Sequence, residues 1–268
     1  IEVIDNHVLG CGGIPVGRIT EVFSDEGCGK SSFGYSCLAQ AQKMGALALL
    51  IETEVATDQD RPKLFGVDPD DLLVLQPDTL EQCLSQLESI FEINREGPAL
   101  VVWDSLAATP TKAEVEDGIA GKTAVAEVGR IMSRSLKILS EKLATSKVAL
   151  LIINQVRSSI GGGFGGPDVV SPGGKAIKFY SSIRLQIMGG SAVKKAADHV
   201  GKDVTFMAWK NKFEPPFRKC RVRLNYHEGF DNDWATVQFA KTQDLLPANS
   251  RVTEKNAAKA RKDLGWEA

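Results

Sequence analysis

Short apolar runs bounded by polar turns alternate along this chain with longer stretches in which apolar positions recur every three or four residues. Residues 18–23, 46–52, 72–76, 99–103 and 148–153 have strand length, and most of them are almost wholly apolar. Residues 31–44, 80–94 and 124–143 carry apolar side chains at helical spacing. A strand with one wet face alternates between apolar and polar, so near-continuous apolar strands belong to a parallel sheet covered on both faces. The order predicts an α/β doubly wound core, a mostly parallel central sheet flanked by helices. From residue 177 the helical crossovers cease. Residues 183–187, 204–209 and 220–226 are β-leaning segments joined by turns, which predicts antiparallel hairpins at one sheet edge. Residues 249–266 are charged and Ala-rich, enough for one terminal helix but too short for a core of its own. The expected organisation is a core over 1–230 with a short C-terminal extension over 231–268.

Composition narrows the class. Of 268 residues, 43% are hydrophobic and 25% charged, with 25 Gly and 11 Pro, the profile of a soluble globular protein rather than a disordered or fibrous one. Lys plus Arg number 32 against 34 Asp plus Glu, and a net charge of −2 excludes a bulk polycation; any nucleic-acid site must be a local patch. Five cysteines without a C-x-x-C pair and three scattered histidines offer no zinc spacing, so reduced thiols in a cytoplasmic setting are expected. No apolar run approaches the ~20 residues needed to span a bilayer, and the opening Ile-Glu-Val-Ile-Asp lacks signal-peptide features. The chain opens on Ile1 rather than Met, so an upstream segment, missing or processed away, is expected.

The strongest local signal is Ser24-Asp25-Glu26-Gly27-Cys28-Gly29-Lys30-Ser31, between a predicted strand and a predicted helix. It matches the phosphate-binding pattern G-x-x-x-x-G-K-[ST] except at Ser24, where a non-Gly residue resists the positive φ of a tight turn. Backbone N–H groups and the helix N-terminus form a donor set for phosphate, Lys30 supplies a point charge and Ser31 a Mg2+ ligand. The plainer alternative is a Gly-rich turn capped by a serine. Asp104 directly follows the apolar 99–103 run, at the C-terminal edge where a parallel sheet binds ligands and metal. Glu52 and Glu54 end another strand, and one of them is expected to reach the phosphates; either, like Asp104, reads alternatively as a solvated strand end. A third strand ends in Asn154-Gln155-Val156-Arg157 and runs into a Gly-rich segment containing Phe164. Such a loop permits close backbone approach, and with Arg130, Arg157, Lys175, Lys178 and Arg184 around it, it reads as nucleic-acid-binding or as a flexible surface insertion.

Taken in order, Lys30-Ser31, Glu54, Asp104-Ser105, Asn154-Gln155-Val-Arg, the Gly-rich loop, Pro172-Gly-Gly-Lys-Ala-Ile-Lys-Phe-Tyr180 and Lys210-Asn-Lys212 resemble the bacterial RecA recombinase family over about residues 1–230. The resemblance implies a P-loop RecA-like ATPase core, a right-handed homo-oligomeric filament on single-stranded DNA, pairing with homologous duplex DNA, and ATP with Mg2+ between neighbouring subunits. It places residues 24–31 and Ser32 on the nucleotide phosphates, with Asp58, Arg61 and Tyr226 among the nucleotide contacts, Arg61 standing where the family stacks a Tyr on adenine. Ser31 and Asp104 would hold Mg2+, Glu54 would orient the attacking water, and Gln155 would sense the γ-phosphate. Lys210 and Lys212 would reach the neighbour's γ-phosphate, although taken alone they read as a solvated strand face. DNA would lie against loops at 116–123 and 156–171, with Arg130, Arg157, Phe164, Gly173, Gly174 and Lys175 as contacts.

Some family features are altered. Met188, Gly189, Thr205 and Met207 stand where the secondary DNA site is basic, with Lys194, Lys195 and Lys202 as possible replacements. The family's N-terminal helix and strand are largely absent here, since the resemblance starts almost at the phosphate-loop strand, and its C-terminal domain is reduced to about forty residues, as in a minimal, phage-like version. The competing expectation is a regulatory paralogue that binds ATP and DNA without strand exchange; a hexameric helicase is disfavoured by the Lys-Asn-Lys and Gly-Gly-Lys-Ala features.

Overall fold

The computed structural model describes residues 1–54, 60–93, 96–118, 125–158, 169–170 and 172–266. The chain divides into two compact units, residues 15–184 and residues 1–14 with 185–268.

In the unit of residues 15–184 the elements are β1 (Ile19–Ser24), α1 (Lys30–Lys43), β2 (Leu47–Glu52), α2 (Arg61–Leu64), β3 (Leu72–Leu75), α3 (Leu80–Glu92), β4 (Ala99–Asp104), α4 (Lys112–Asp117), α5 (Val125–Thr145), β5 (Val148–Gln155), the two-residue strands β6 (Arg157–Ser158) and β7 (Val169–Val170), and α6 (Gly174–Tyr180). Five strands pair in parallel in the order β1-β5-β4-β2-β3. Their registers bring the C-terminal ends together: Ser24 lies beside Gln155, and Glu52 beside Asp104.

Both faces of this sheet are covered, which explains why its strands read as continuous apolar runs. Leu49, Ile51, Val101, Trp103, Leu150 and Ile152 join one core with Leu84 and Leu87 of α3 and with Met132, Leu136, Leu139 and Leu143 of α5. The α5 spacing of four, three and four is one helical stripe. The intervening residues point the other way, where a Cβ added to Gly34 of α1 would lie 3.0 Å from both Val102 and Ile153. Thr79 caps α3 by accepting from Gln82 N–H at 3.2 Å. Beyond α6, Ser182 N–H donates to Ile19 carbonyl at 2.8 Å, so the chain approaches its next strand alongside β1, an edge of the parallel set.

That strand is β8 (Ile183–Lys195), followed by β9 (Asp198–Asn211), β10 (Lys219–Asn225), β11 (Gly229–Asp231), α7 (Asn232–Thr242) and α8 (Glu254–Leu264). The unit of residues 1–14 and 185–268 holds antiparallel strands in the order β8-β9-β10-β11. Asp231 caps α7 by accepting from Trp234 N–H at 2.8 Å. Val237, Ala240, Leu246, Ala257 and Ala260 form a small core between α7 and α8. The N-terminal residues belong here because Glu2 pairs with Arg261 at 2.7 Å and Asn211 donates to Leu9 carbonyl at 2.8 Å.

The α/β class, the mostly parallel sheet and the antiparallel strands agree with the sequence. Several elements differ. β8 and β9 run far past the expected 183–187 and 204–209, because cross-strand backbone pairing carries a Gly- and Lys-rich hairpin that has no hydrophobic alternation. α7 occupies a stretch for which no element is expected, and α6 one read only as a motif; both lack a clean apolar stripe over their short length.

Candidate functional site

The site grows from the C-terminal ends of β1, β2, β4 and β5. Ser24 closes β1 rather than opening a left-handed turn, so a side chain there meets no positive-φ penalty. Its hydroxyl donates to Asp25 carbonyl at 2.7 Å and accepts from Lys30 Nζ at 3.0 Å. The conformational demand falls on Gly29, the N-cap of α1, with φ 94°. Lys30 is buried, and its ammonium also donates to Ser24 carbonyl at 3.2 Å and Asp25 carbonyl at 2.8 Å. Burial pushes its pKa below the usual lysine value, opposed by the negative groups around it, Asp104 and Glu54 among them. Cys28 is buried within the loop, and Asp25, Glu26 and Gly27 are exposed.

Across from the loop, Ser31 hydrogen-bonds the Asp104 carboxyl. Asp104 is 6% exposed, and burial pushes its pKa up to about 6, with the Ser31 hydrogen bond acting in the opposite direction. Glu54 Oε1 accepts from Gln155 Nε2 at 2.8 Å and from Ser105 Oγ at 3.4 Å, while Glu52 turns away to accept from Gln76 at 3.1 Å. Lys30, Ser31, Asp104, Glu54 and Gln155, five residues from three elements and the residue pair after β2, thus surround one sheet edge.

This arrangement fits a nucleotide with Mg2+. A cation already bridges the loop oxygens, and the N–H groups of the first turn of α1 lack intrahelical acceptors, as helix geometry requires. Among the described residues no cluster of three His, Cys, Asp or Glu is built to hold a metal alone. A divalent ion here would rest on Asp104, Ser31 and phosphate oxygens, the donor set Mg2+ favours.

The raised Asp104 pKa has a pH consequence. Between the ordinary value of 3.8 and about 6, the folded ligand-free chain holds a proton that the unfolded chain has released. Asp104 therefore contributes stability at low pH that is lost as pH rises through about 6, at most about 3 kcal/mol. Mg2+ needs the ionised carboxylate, so Mg2+-dependent binding of a fluorescent ATP analogue is expected to weaken as pH falls below about 6, approaching tenfold per pH unit. An affinity flat from pH 5 to 8 would contradict this.

Sequence reading missed a buried polar cluster beside the site. Glu21 is fully buried in β1; it pairs with Arg184 and accepts from Asn154 Nδ2 at 3.0 Å. Asn154 Nδ2 also donates to Pro172 carbonyl at 3.1 Å, and Asn154 Oδ1 has no partner among the described residues. Both acceptors fix the amide orientation. The available signal was a charge inside an apolar strand, which demands a partner. Arg184, read with the basic residues around the Gly-rich loop, is instead committed to Glu21 and lies 4.5 Å over the Phe23 ring.

Arg61 is exposed at the start of α2, and Ser32 is buried in α1. Arg130 is exposed on α5, 3.8 Å from Glu127. Gly173, with φ 81°, caps α6, and a Cβ there would stand 3.0 Å from Leu106; Gly174 and Lys175 are exposed. Lys210 is the half-buried penultimate residue of β9, Lys212 follows the strand exposed, and Tyr226 is exposed after β10, all three in the other unit. Asp58, Phe164, the Arg157 side chain, and most of 116–123 and 156–171 lie outside the described residues. No helix among the described residues is long and apolar enough to cross a membrane.

A family model, RecA N-terminal domain, matches residues 3–231. Protein RecA of Heliobacterium modesticaldum is 41% identical over 239 residues, 89% of this chain and 68% of the relative. Protein RecA of Symbiobacterium thermophilum is 39% identical over 230 residues, 85% and 64% respectively, and that of Francisella philomiragia 40% over 238 residues, 89% and 65%. The chain spans about two thirds of the length of these relatives. With the family model covering the phosphate loop, both carboxylate strands and the Lys-Asn-Lys segment alike, the chain belongs to the RecA family.

Proposed function

We propose that this chain is a DNA-dependent ATPase that assembles as a filament on single-stranded DNA and pairs the bound strand with a homologous duplex. The carrying observation is the hydrogen bond from Gln155 to Glu54, because it joins the carboxylate suited to orient water to the last residue of β5, directly before the Gly-rich segment. Relatives named Protein RecA at 39–41% identity support the same reading.

In this mechanism Lys30 leaves the carbonyls of Ser24 and Asp25 for the β- and γ-phosphates, and the N–H groups of residues 27–31 bind the phosphate oxygens. Ser31 and Asp104 would hold Mg2+, which would supply charge neutralisation at the phosphates. Glu54 orients the attacking water. Gln155 exchanges its bond to Glu54 for the γ-phosphate, and the strand end moves with it, so nucleotide state reaches the segment that touches DNA. Lys210 and Lys212 act on the nucleotide of the neighbouring subunit, stabilising transition-state charge, so turnover requires assembly. Gly173 and Gly174 donate backbone hydrogen bonds to DNA phosphates, and Lys175, Arg130, Arg157 and Phe164 are the further DNA contacts of this reading.

Electron microscopy with single-stranded DNA and a nonhydrolysable ATP analogue, together with a strand-exchange assay, tests the reading. Regular filaments and joint molecules are expected; ATP turnover without joint molecules would overturn the recombinase function. Lys210→Ala and Lys212→Ala should each lower DNA-stimulated turnover by about 10²-fold or more while nucleotide binding stays near normal. A defect confined to nucleotide binding would argue against their action across the interface.

A further inference from the structure

The parallel ladder between β2 and β4 ends at Glu52 beside Asp104, yet the two strand ends remain tied beyond it. Thr53 N–H donates to Asp104 carbonyl at 2.9 Å. One step further, a side chain takes over the pairing: Thr53 Oγ1 donates to Ser105 carbonyl at 2.8 Å and accepts from Ser105 N–H at 3.1 Å. Thr109 Oγ1 lies 3.0 Å from Thr53 Oγ1 and 2.9 Å from Ser105 carbonyl, and accepts from Trp103 Nε1 at 3.2 Å. Thr109 has a single proton, and giving it to either oxygen closes the ring. Trp103, Ser105 and Thr109 are all buried, so the groups in this ring depend on one another for hydrogen bonds.

We propose that Thr53, braced by Thr109, is a positioning residue that fixes Asp104 and Glu54 relative to each other. Its hydroxyl holds the Ser105 backbone, and Ser105 Oγ in turn donates to Glu54 Oε1, so the carboxylate that meets the metal and the one that orients water share one bracket. The inference rests on the ATPase reading above. Packing alone would be served equally well by valine at residue 53, which has the same shape; what valine lacks is the hydroxyl that serves both the N–H and the carbonyl of Ser105.

Thr53→Val tests this, with Thr53→Ser as the conservative partner. Thr53→Val should lower kcat for DNA-stimulated ATP hydrolysis by about ten- to a hundredfold with KM for ATP little changed, and raise by a similar factor the Mn2+ concentration needed to bind a fluorescent ATP analogue. Thr53→Ser should restore both. The inference is overturned if kcat and the Mn2+ requirement stay at wild-type values, or if only the melting temperature falls, or if serine fails to rescue. Should Thr53→Val not fold, Thr109→Val, which removes the brace, is read against the same two measurements. A wild-type chain that hydrolyses no ATP would defeat the ATPase reading; the Mn2+ measurement, which needs no turnover, would still decide the bracket.

Discussion

Lys30→Ala should abolish ATP hydrolysis, lowering DNA-stimulated turnover by about 10²–10³-fold or more, the scale on which removal of one preorganised charge donor is felt. The ammonium is buried over three loop oxygens, so the loop has been built around a cation at this point. Alanine leaves the carbonyls of Ser24 and Asp25 without that donor and removes the only charge the loop itself directs at phosphate. The fold should survive, because burial already disfavours the charged lysine. Steady-state hydrolysis with circular dichroism of the same preparation checks both halves. Near-normal turnover in a folded Lys30→Ala chain would remove the phosphate-loop assignment.

Glu54→Gln separates binding from chemistry. Glutamine keeps the length of the side chain and an oxygen that can accept from Gln155 and Ser105, as Glu54 Oε1 does. It loses the charge that, in the proposed mechanism, orients the attacking water. Turnover should fall by about 10²–10⁴-fold, while affinity for a nonhydrolysable ATP analogue and for single-stranded DNA is retained. Single-turnover hydrolysis and fluorescence anisotropy with a labelled oligonucleotide measure the two effects. Loss of both together would assign Glu54 to the scaffold; retention of turnover would move the catalytic role elsewhere.

The phosphate loop was legible because its chemistry is local: backbone N–H groups, a lysine and a hydroxyl must follow one another within a few residues, so spacing alone exposes them. Asp104, Glu54 and Gln155 were legible as polar residues terminating apolar runs, and the shared C-terminal edge of a parallel sheet brings such ends together. Arg184 was misassigned for the opposite reason. A guanidinium reads as surface charge in sequence, and only the structure puts Glu21 beside it, 163 positions away along the chain.

Periodicity by itself determined the α/β class, the covered parallel sheet and the faces of α3 and α5, because burial on one stripe or on both strand faces leaves a repeating apolar pattern. The tertiary structure alone decided how far β8 and β9 extend, where Glu21 finds its partners, and that Thr53 and Thr109 reach Ser105. Those outcomes depend on hydrogen bonds between residues far apart in the chain. A threonine between two glutamates carries no mark of the partner some fifty positions away that gives its hydroxyl work to do.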